Sequence, residues 1–354
     1  MSSDCQAERG KMERTEKGYR KTVVLDLRLF DNPVMNATTS ASSGNDLSPE
    51  MRTYYWKTLI EEAGPQLVHD QFGQTCDVPK GNGKKVQFRK FEQLPKMLTP
   101  LTEGVTPKGQ AMTMTTIEED VLQYGGYILI TDLLDLVAVD NMVQEATIMI
   151  GQQAGRTLDT VTREVLSGGT NVIYGDGSVT SRSAITRSMK LTVDLVKRAA
   201  RILKVQNTPR IDGYYVGIIH PNTEFDLTND PAWVDANKYT DIDHQWMNEI
   251  GKIGNVRFVE STEAKIFEKA GAVDGSAKVD VYSTLILGAN AYGVTTITGG
   301  AMKTIIKQIG SGGAEDPLDQ RGTIGWKGTK AAVRLLEQYM VRIETASTFD
   351  EGAN

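Results

Sequence analysis

Between Lys84 and Ile117 the chain alternates. Val86, Phe88 and Lys90 share one side and Gln87, Arg89 and Phe91 the other, a period of two that predicts a strand. Alternation returns at the far end, where Met112, Met114 and Thr116 oppose Thr113, Thr115 and Ile117. Between these limbs, Pro95, Pro100, Gly104, Pro107 and Gly109 break any helix or central strand. The pattern predicts a long hairpin arm with a wide, irregular tip. At roughly 3.3 Å per residue, limbs of about 15 residues reach about 50 Å. A compact globule of this length has a radius of gyration of only about 20 Å. A lone two-stranded hairpin is marginal in water, so the arm is expected to lie on something else, most economically a neighbouring copy.

A helical period follows. After the apolar run from Tyr127 to Ile130, Thr131 or Asp132 can cap a helix. Its stripe runs Leu136, Val139, Val143, Ala146, Ile150, Ala154, Leu158, Val161 and Val165. Steps of three and four mark one buried face, and Gly168-Gly169 ends it. About 30 residues give a spine of about 45 Å. Gly151 and Gly155 interrupt it, each costing up to about 1 kcal/mol against Ala. Close packing against another element is the expected reason, with a hinge as the lesser alternative. A spine this long beside an arm that long predicts a flat, extended subunit suited to tiling.

Other elements are shorter. Ser48 and Pro49 open a helix with Tyr55, Leu59 and Ile60 on its apolar face, and Gly64-Pro65 stops it. A short helical piece is expected over 66–71. Met189, Val193, Val196, Ala200 and Leu203 predict a helix from Ile185 to Lys204. Strands are expected over 214–219, 256–259 and 281–287, with short helices near Glu224 and Glu263 and a surface loop over 270–278. Thr304 to Lys307 begins a final β region. From Ala331 to Glu344 the pattern fits a helix through Val333, Leu336, Met340 and Ile343, a strand over 340–343, or the two in succession.

Composition narrows the class. The 354 residues are 40% hydrophobic, 24% charged and 7% aromatic, ordinary for a folded soluble chain. Glycine, at 34 residues, exceeds its usual share of roughly 7% and suits many turns and kinked strands. A net charge of −6 argues against gripping DNA as the main task, though weak contact fits. No run approaches the roughly 18 apolar residues that a membrane helix needs. The mixed charges of Glu8, Arg9, Lys11, Glu13 and Arg14 do not suit a signal peptide, so a soluble protein made in the cytosol is expected. Cys5 and Cys76 are too few for a disulfide framework or metal knuckle and read as reduced thiols. Residues 1–34 are charged and of low complexity, apart from an apolar patch at Val23 to Leu27. Two readings stand there: translation begins at Met35, or the segment is a true arm. Asn36 to Gly44 reads as a flexible lead-in.

Candidate chemistry is sparse. His69, His220 and His244 form no metal-binding spacing. His220, before Pro221 at a strand end, reads as closing a turn rather than as catalytic. His244, beside Asp241 and Asp243, reads as part of a solvated acidic loop. Gly310 to Gly313 and Gly325 to Lys330 echo a phosphate loop but lack its order of glycine, lysine and hydroxyl. Glu118, Glu119 and Asp120 are adjacent carboxylates, which on a strand point to opposite faces. No catalytic residue, cofactor or metal is expected.

Five strings carry a family likeness: LSPEMRTYY from Leu47, KVQFRKF from Lys85, TPLTEGVTP from Thr99, QYGGYILITDLLD from Gln123 and GQQAGRTLD from Gly151. On these the chain resembles the major capsid family of tailed phages typified by coliphage N-four. The likeness is dense over 47–175 and looser to the end, through His220-Pro221 and Gly325 to Lys327. The extension before Met35 and the loop near Ala270 depart from it.

The resemblance implies an α+β chain with the tailed-phage major capsid fold (HK-ninety-seven type, shared with encapsulins). Its implied parts are an N-terminal extension and arm at 1–46, a helical segment of the peripheral domain at 47–83 and the extended E-loop at 84–117. The peripheral domain with its spine follows at 118–184, the axial domain at 185–300, and a C-terminal β region returning to the peripheral domain at 301–354. The implied function is self-assembly of pentamers and hexamers into the icosahedral shell enclosing a viral dsDNA genome, each arm lying over the next peripheral domain. Phe88, Phe91, Leu98 and Leu101 on the arm are the expected intersubunit contacts, gaining burial only on docking. Repetition over many copies supplies avidity. Implied partners are further copies, portal, scaffolding or decoration proteins, and packaged dsDNA held weakly and without sequence preference, but no membrane. The implied location is the virion capsid, assembled in the host cytoplasm. Some relatives join subunits by Lys–Asn isopeptide bonds. Lys84, Lys85, Lys90, Lys96 and Lys108 supply amines on the arm, but nothing marks an acceptor or a catalytic carboxylate, so the sequence assigns no crosslink. The nearest rival is an encapsulin-like nanocompartment shell subunit. A β-rich hydrolase or sugar-binding enzyme would need a convergent polar site that the sequence does not show.

Overall fold

The alternating stretch folds as a two-stranded antiparallel ladder, Lys85–Phe91 against Met114–Asp120, registered from Lys85 opposite Asp120 to Phe91 opposite Met114. A computed structural model describes residues 55–349 of the chain except 56, 60–61, 64–66, 78–83, 92–93, 102, 107–108, 138–141, 238–248, 276, 297–301, 311–315 and 319. The helix start at Ser48-Pro49, residues 1–46, Cys5 and His244 lie outside these residues. The paired limbs have 7 residues each, shorter than expected. The prolines and glycines of the tip take the intervening chain out of the ladder.

One face of this ladder is already covered. Val86 and Phe88 are buried among Leu335, Val333, Ile117, Val121 and Cys76. Beneath them runs a three-stranded sheet of Gln74–Cys76, Tyr292–Thr295 and Ala332–Arg334. Gly293 leaves room for the Phe88 ring: a Cβ there would lie 2.4 Å from Phe88 Cε1. The base of the arm is therefore fastened to its own chain. Phe88, expected to gain burial only on docking, is already buried, because its side of the strand meets a glycine-floored sheet. Gly293→Ala should drive the ring out of its seat and destabilise the subunit by about 1–3 kcal/mol. A lowered thermal midpoint of the unassembled chain would show it, and an unchanged midpoint would refute the packing described.

The spine runs as Asp132–Val137 and Met142–Ser167. Leu134 N–H donates to Thr131 Oγ1 at 3.4 Å, so Thr131 caps the first piece. Ala146, Ile150, Ala154 and Leu158 are buried as the stripe predicts. Beyond Leu158 burial moves to Thr162 and Leu166, leaving Val161 and Val165 only half-buried. The inward Asp159, Thr162 and Arg163 meet polar partners, a pairing that hydropathy does not register. Gly151 meets the preceding helical segment, where a Cβ would lie 2.9 Å from Glu62 Cβ and 3.1 Å from Leu59 O. Close packing, not a hinge, accounts for that glycine.

The spine covers one face of a three-stranded sheet in which Arg321–Lys330 lies between Met302–Lys307 and Leu122–Thr131. Trp326, Ile324, Met302 and Ile130 join Ile150, Leu158 and Leu59 in that core. A seven-stranded sheet holds, in order, Val172–Tyr174, Met340–Thr345, Val281–Leu287, Tyr215–Ile219, Val256–Glu260 and Glu249–Ile253, with Ile266–Phe267 paired onto Val281–Leu287. One of its cores includes the helix Val193–Val205 with Leu227 and Trp233, while another reaches Leu166 of the spine and Tyr292.

Several expectations shift. The helix expected from Ile185 begins at Val193, after an extended Thr192 (φ −127°, ψ 158°). Pro221–Thr228 is the helix expected near Glu224, but the chain turns around Glu263, and 68–72 is a turn rather than a helix. The 270–278 loop contains a small ladder, Val273–Asp274 against Ala277–Lys278. The tail resolves into Ala332–Arg334, a 3-10 turn at Glu337–Tyr339 and Met340–Thr345. That last strand joins the large sheet instead of returning beside the spine with 302–330. All six of its residues are buried. Such a strand needs cover on both faces, which the half-exposed spine sheet does not offer.

Candidate assembly surface

The arm tip is built from residues that the backbone cannot pair. Pro95 and Pro100 lack donors, and the chain around them runs outside any ladder. Leu94, Met97, Leu98, Leu101, Val105 and Met112 consequently stand in solvent, with Leu98 84% and Leu101 77% exposed. A cluster of this kind marks an interaction site. The four arm residues anticipated as contacts are thus divided. Leu98 and Leu101 lie on the exposed tip, whereas Phe88 is buried at the base. Phe91 ends its strand opposite Met114, and its side chain falls outside the described residues. At the root, Glu118 accepts from Lys85 at 3.2 Å and Gln87 at 2.8 Å, while Glu119 and Asp120 are exposed.

A second surface was not foreseen. It is the face of the spine sheet turned away from the helix. Strand register sets Tyr127 and Ile305 on either side of Gly325, and Leu129 and Lys307 on either side of Thr323. Lys327 lies between Lys303 and Gly125 in the same way. Tyr127 is 75% exposed, and Leu129 and Ile305 are exposed beside it. Glycine at 125 and 325 lowers the floor and leaves a groove of about 370 Å³ that includes Gln123, Tyr127, Ile305, Thr323 and Lys327. Lys303, Lys307, Arg321 and Lys327 are exposed there, and none of their side chains forms an ion pair among the described residues, although Arg321 N–H donates to Asp316 Oδ2 at 2.7 Å. The alternation of Lys303, Ile305 and Lys307 was a readable signal. Its meaning depends on which face the spine covers.

The remaining polar groups are structural. His69 Nδ1 lies 2.7 Å from Asp159 Oδ2, and His69 N–H donates to Asp159 Oδ1 at 2.7 Å. Tyr292 donates its hydroxyl to the His69 carbonyl. Beside them Lys330 donates to Asp70 Oδ2, and Thr162 donates to Asp70 Oδ1 at 2.6 Å. Burial raises the Asp70 pKa, although Lys330 and the hydrogen bonds pull it down. Burial also pushes the Tyr292 phenol well above its ordinary range, helped by the charges of Asp70 and Asp159. With His69 1% and Asp159 0% exposed, no substrate reaches this cluster. Its role is to tie the 68–72 turn to the spine and the strand behind it. His220 closes a turn as read, its Nδ1 accepting from Asn222 N–H at 3.2 Å at the start of Pro221–Thr228. Gly325 to Lys330 forms the second half of a strand, so that echo of a phosphate loop has no loop, and 311–313 of the other echo lie outside the described residues. No group of three or more His, Cys, Asp or Glu among the described residues could hold a metal ion.

A sequence profile for phage capsid protein matches residues 115–343, from the returning limb of the arm into the last strand. A search of curated protein sequences gives no significant match. Among solved structures, the capsid of Ralstonia phage GP4 is similar, with 16% identity, a TM-score of 0.59 and coverage of 80% of this chain and 87% of that one. The capsid of cyanophage P-SCSP1u is similar at 14% identity and a TM-score of 0.57, covering 79% of this chain and 88% of that one. The cyanophage Pam1 capsid has 14% identity and a TM-score of 0.60, covering 89% and 98%. At such identities the likeness is one of fold, and the fold is that of tailed-phage shells.

Proposed function

This chain belongs to the phage capsid protein family, and from that premise we propose how its surfaces build a shell. It is a major capsid protein, a structural subunit of the virion capsid that assembles with copies of itself. The family match over 115–343 carries this reading. Because the matched family is a phage capsid one, an encapsulin-like compartment is the less favoured alternative. The finer proposal is a subunit of the coliphage N-four type, forming pentamers and hexamers of an icosahedral shell around dsDNA. Portal and scaffolding or decoration proteins would be its other partners. The natural division is an E-loop at 84–117, a peripheral part around the spine and an axial part built on the large sheet.

In this reading the arm tip of one copy docks on the exposed spine-sheet face of the next. Leu98 and Leu101 supply apolar area to the groove beside Tyr127 and Ile305, next to which Leu129 is also exposed. Phe88 aims the arm from below and makes no such contact. Expression of the full chain followed by negative-stain imaging tests the reading, with closed shells as the expected result. Persistent monomers at high concentration, with and without a scaffolding protein, would overturn it.

A further inference from the structure

The helix Val193–Val205 buries Val193, Val196, Ala199, Ala200 and Leu203 in the large-sheet core. Its opposite face turns Asp194, Lys197, Arg198, Arg201 and Lys204 to solvent. Arg198 neutralises Asp194 at 2.7 Å and donates to the Asp176 carbonyl at 3.2 Å. Lys197, Arg201 and Lys204 have no acidic partner among the described residues. By contrast, Arg156, Arg182, Lys190, Lys265 and Lys269 each hold a carboxylate within 4.0 Å, while the exposed cations of the spine-sheet face share this helix's lack of an ion pair. The three free cations lie along about 10 Å of one helix face.

The two cation-bearing faces of this protein differ in kind. On the spine sheet, lysines alternate with Tyr127, Leu129 and Ile305, which gain by burial against protein. On this helix only Val205, at the end, offers exposed apolar area. A face of charge alone gains little from a protein partner. It suits a phosphodiester backbone, which stays hydrated and is held by release of counterions. We propose that Lys197, Arg201 and Lys204 form a contact for the phosphate backbone of double-stranded nucleic acid. The inference rests on the shell reading for its biological setting, though not for the binding itself. Backbone contacts carry no sequence information, so the contact is weak, salt-sensitive and indifferent to sequence.

The test titrates the unassembled full chain with a random-sequence duplex of about 30 base pairs across salt concentrations, and images particle formation in parallel. Each phosphate contact contributes about 0.9 to the log–log salt slope. Lys197→Gln, Arg201→Gln and Lys204→Gln together should therefore lower the slope by about 2.7, equivalent to about 40-fold in affinity over a fourfold change in salt. Shell formation should be unaffected. The control variant Lys303→Gln, Lys307→Gln and Lys327→Gln should keep the wild-type slope. The proposal is overturned by a wild-type chain that does not bind the duplex, by an unchanged slope in the helix variant, or by an equal loss in the control. Loss of shells with duplex binding intact would also overturn it, making this face a protein interface. Failure of the wild type to form shells would instead strike at the shell reading, since duplex binding is measured without assembly.

Discussion

Replacing Leu98 and Leu101 together by aspartate should leave the subunit folded and abolish shells. Both side chains stand in solvent, at 84% and 77% exposure, so the folded chain has little to lose. Surface changes of this kind usually fall within about 0.5 kcal/mol. In the docked arm the same side chains would be covered, each worth about 1.5–3 kcal/mol when fully buried. The variant forfeits that gain and adds two carboxylates whose desolvation opposes docking. A shell repeats each contact many times, so a loss that is modest per interface becomes decisive for closure. Thermal unfolding of the unassembled chain checks the first half, and sedimentation with negative-stain imaging checks the second. Shells forming at the wild-type concentration threshold would show that the tip is not the clamp. A lowered unfolding midpoint would show that these leucines already serve the monomer.

Lys330→Met should have the largest effect on the subunit itself. The ammonium is buried at the end of a central strand, and its partner is Asp70. Removing the cation leaves the Asp70 carboxylate with the Thr162 hydroxyl as its remaining side-chain donor among the described residues, in a site where burial already raises its pKa. Breaking one side of a buried pair costs about 3–5 kcal/mol, whereas replacing both sides by apolar groups is often neutral. The double variant Lys330→Met with Asp70→Leu should therefore recover much of the loss. Denaturant unfolding of the four species in a double-mutant cycle would measure this. A single-variant cost below about 1 kcal/mol would show that the pair does not anchor the 68–72 turn.

The contrast between those predictions reflects what hydropathy can and cannot report. Leu98 and Lys330 are both placed against their residue type, the leucine in water and the lysine in the core. Alternation around Val86 and Phe88 gave the faces of the arm correctly. It could not say which face meets Gly293, a residue more than two hundred positions away in sequence. Tyr127 and Ile305 belong to strands far apart in the chain, and only the pairing of both with Arg321–Lys330 makes them walls of one groove. The spine stripe was readable from Ala146 as far as Leu158, with Leu136 and Val139 outside the described side chains. Its continuation was hidden because Asp159 and Thr162 turn inward to polar partners.

By itself the sequence determined the periodic elements: an arm that alternates, a spine that steps by three and four, and the punctuation of proline and glycine between them. These are local, since backbone period and turn chemistry depend on neighbours within a few residues. The strings quoted from Leu47 to Asp159 also carried the family likeness. Tertiary structure alone decided that Phe88 is anchored while Leu98 and Leu101 stay free, that Met340–Thr345 crosses into the large sheet, and that lysines of the spine sheet share a face with no ion-paired acid among the described residues. Each of those outcomes depends on which distant strand comes alongside, because burial is a property of the assembled neighbourhood and not of the residue that is buried.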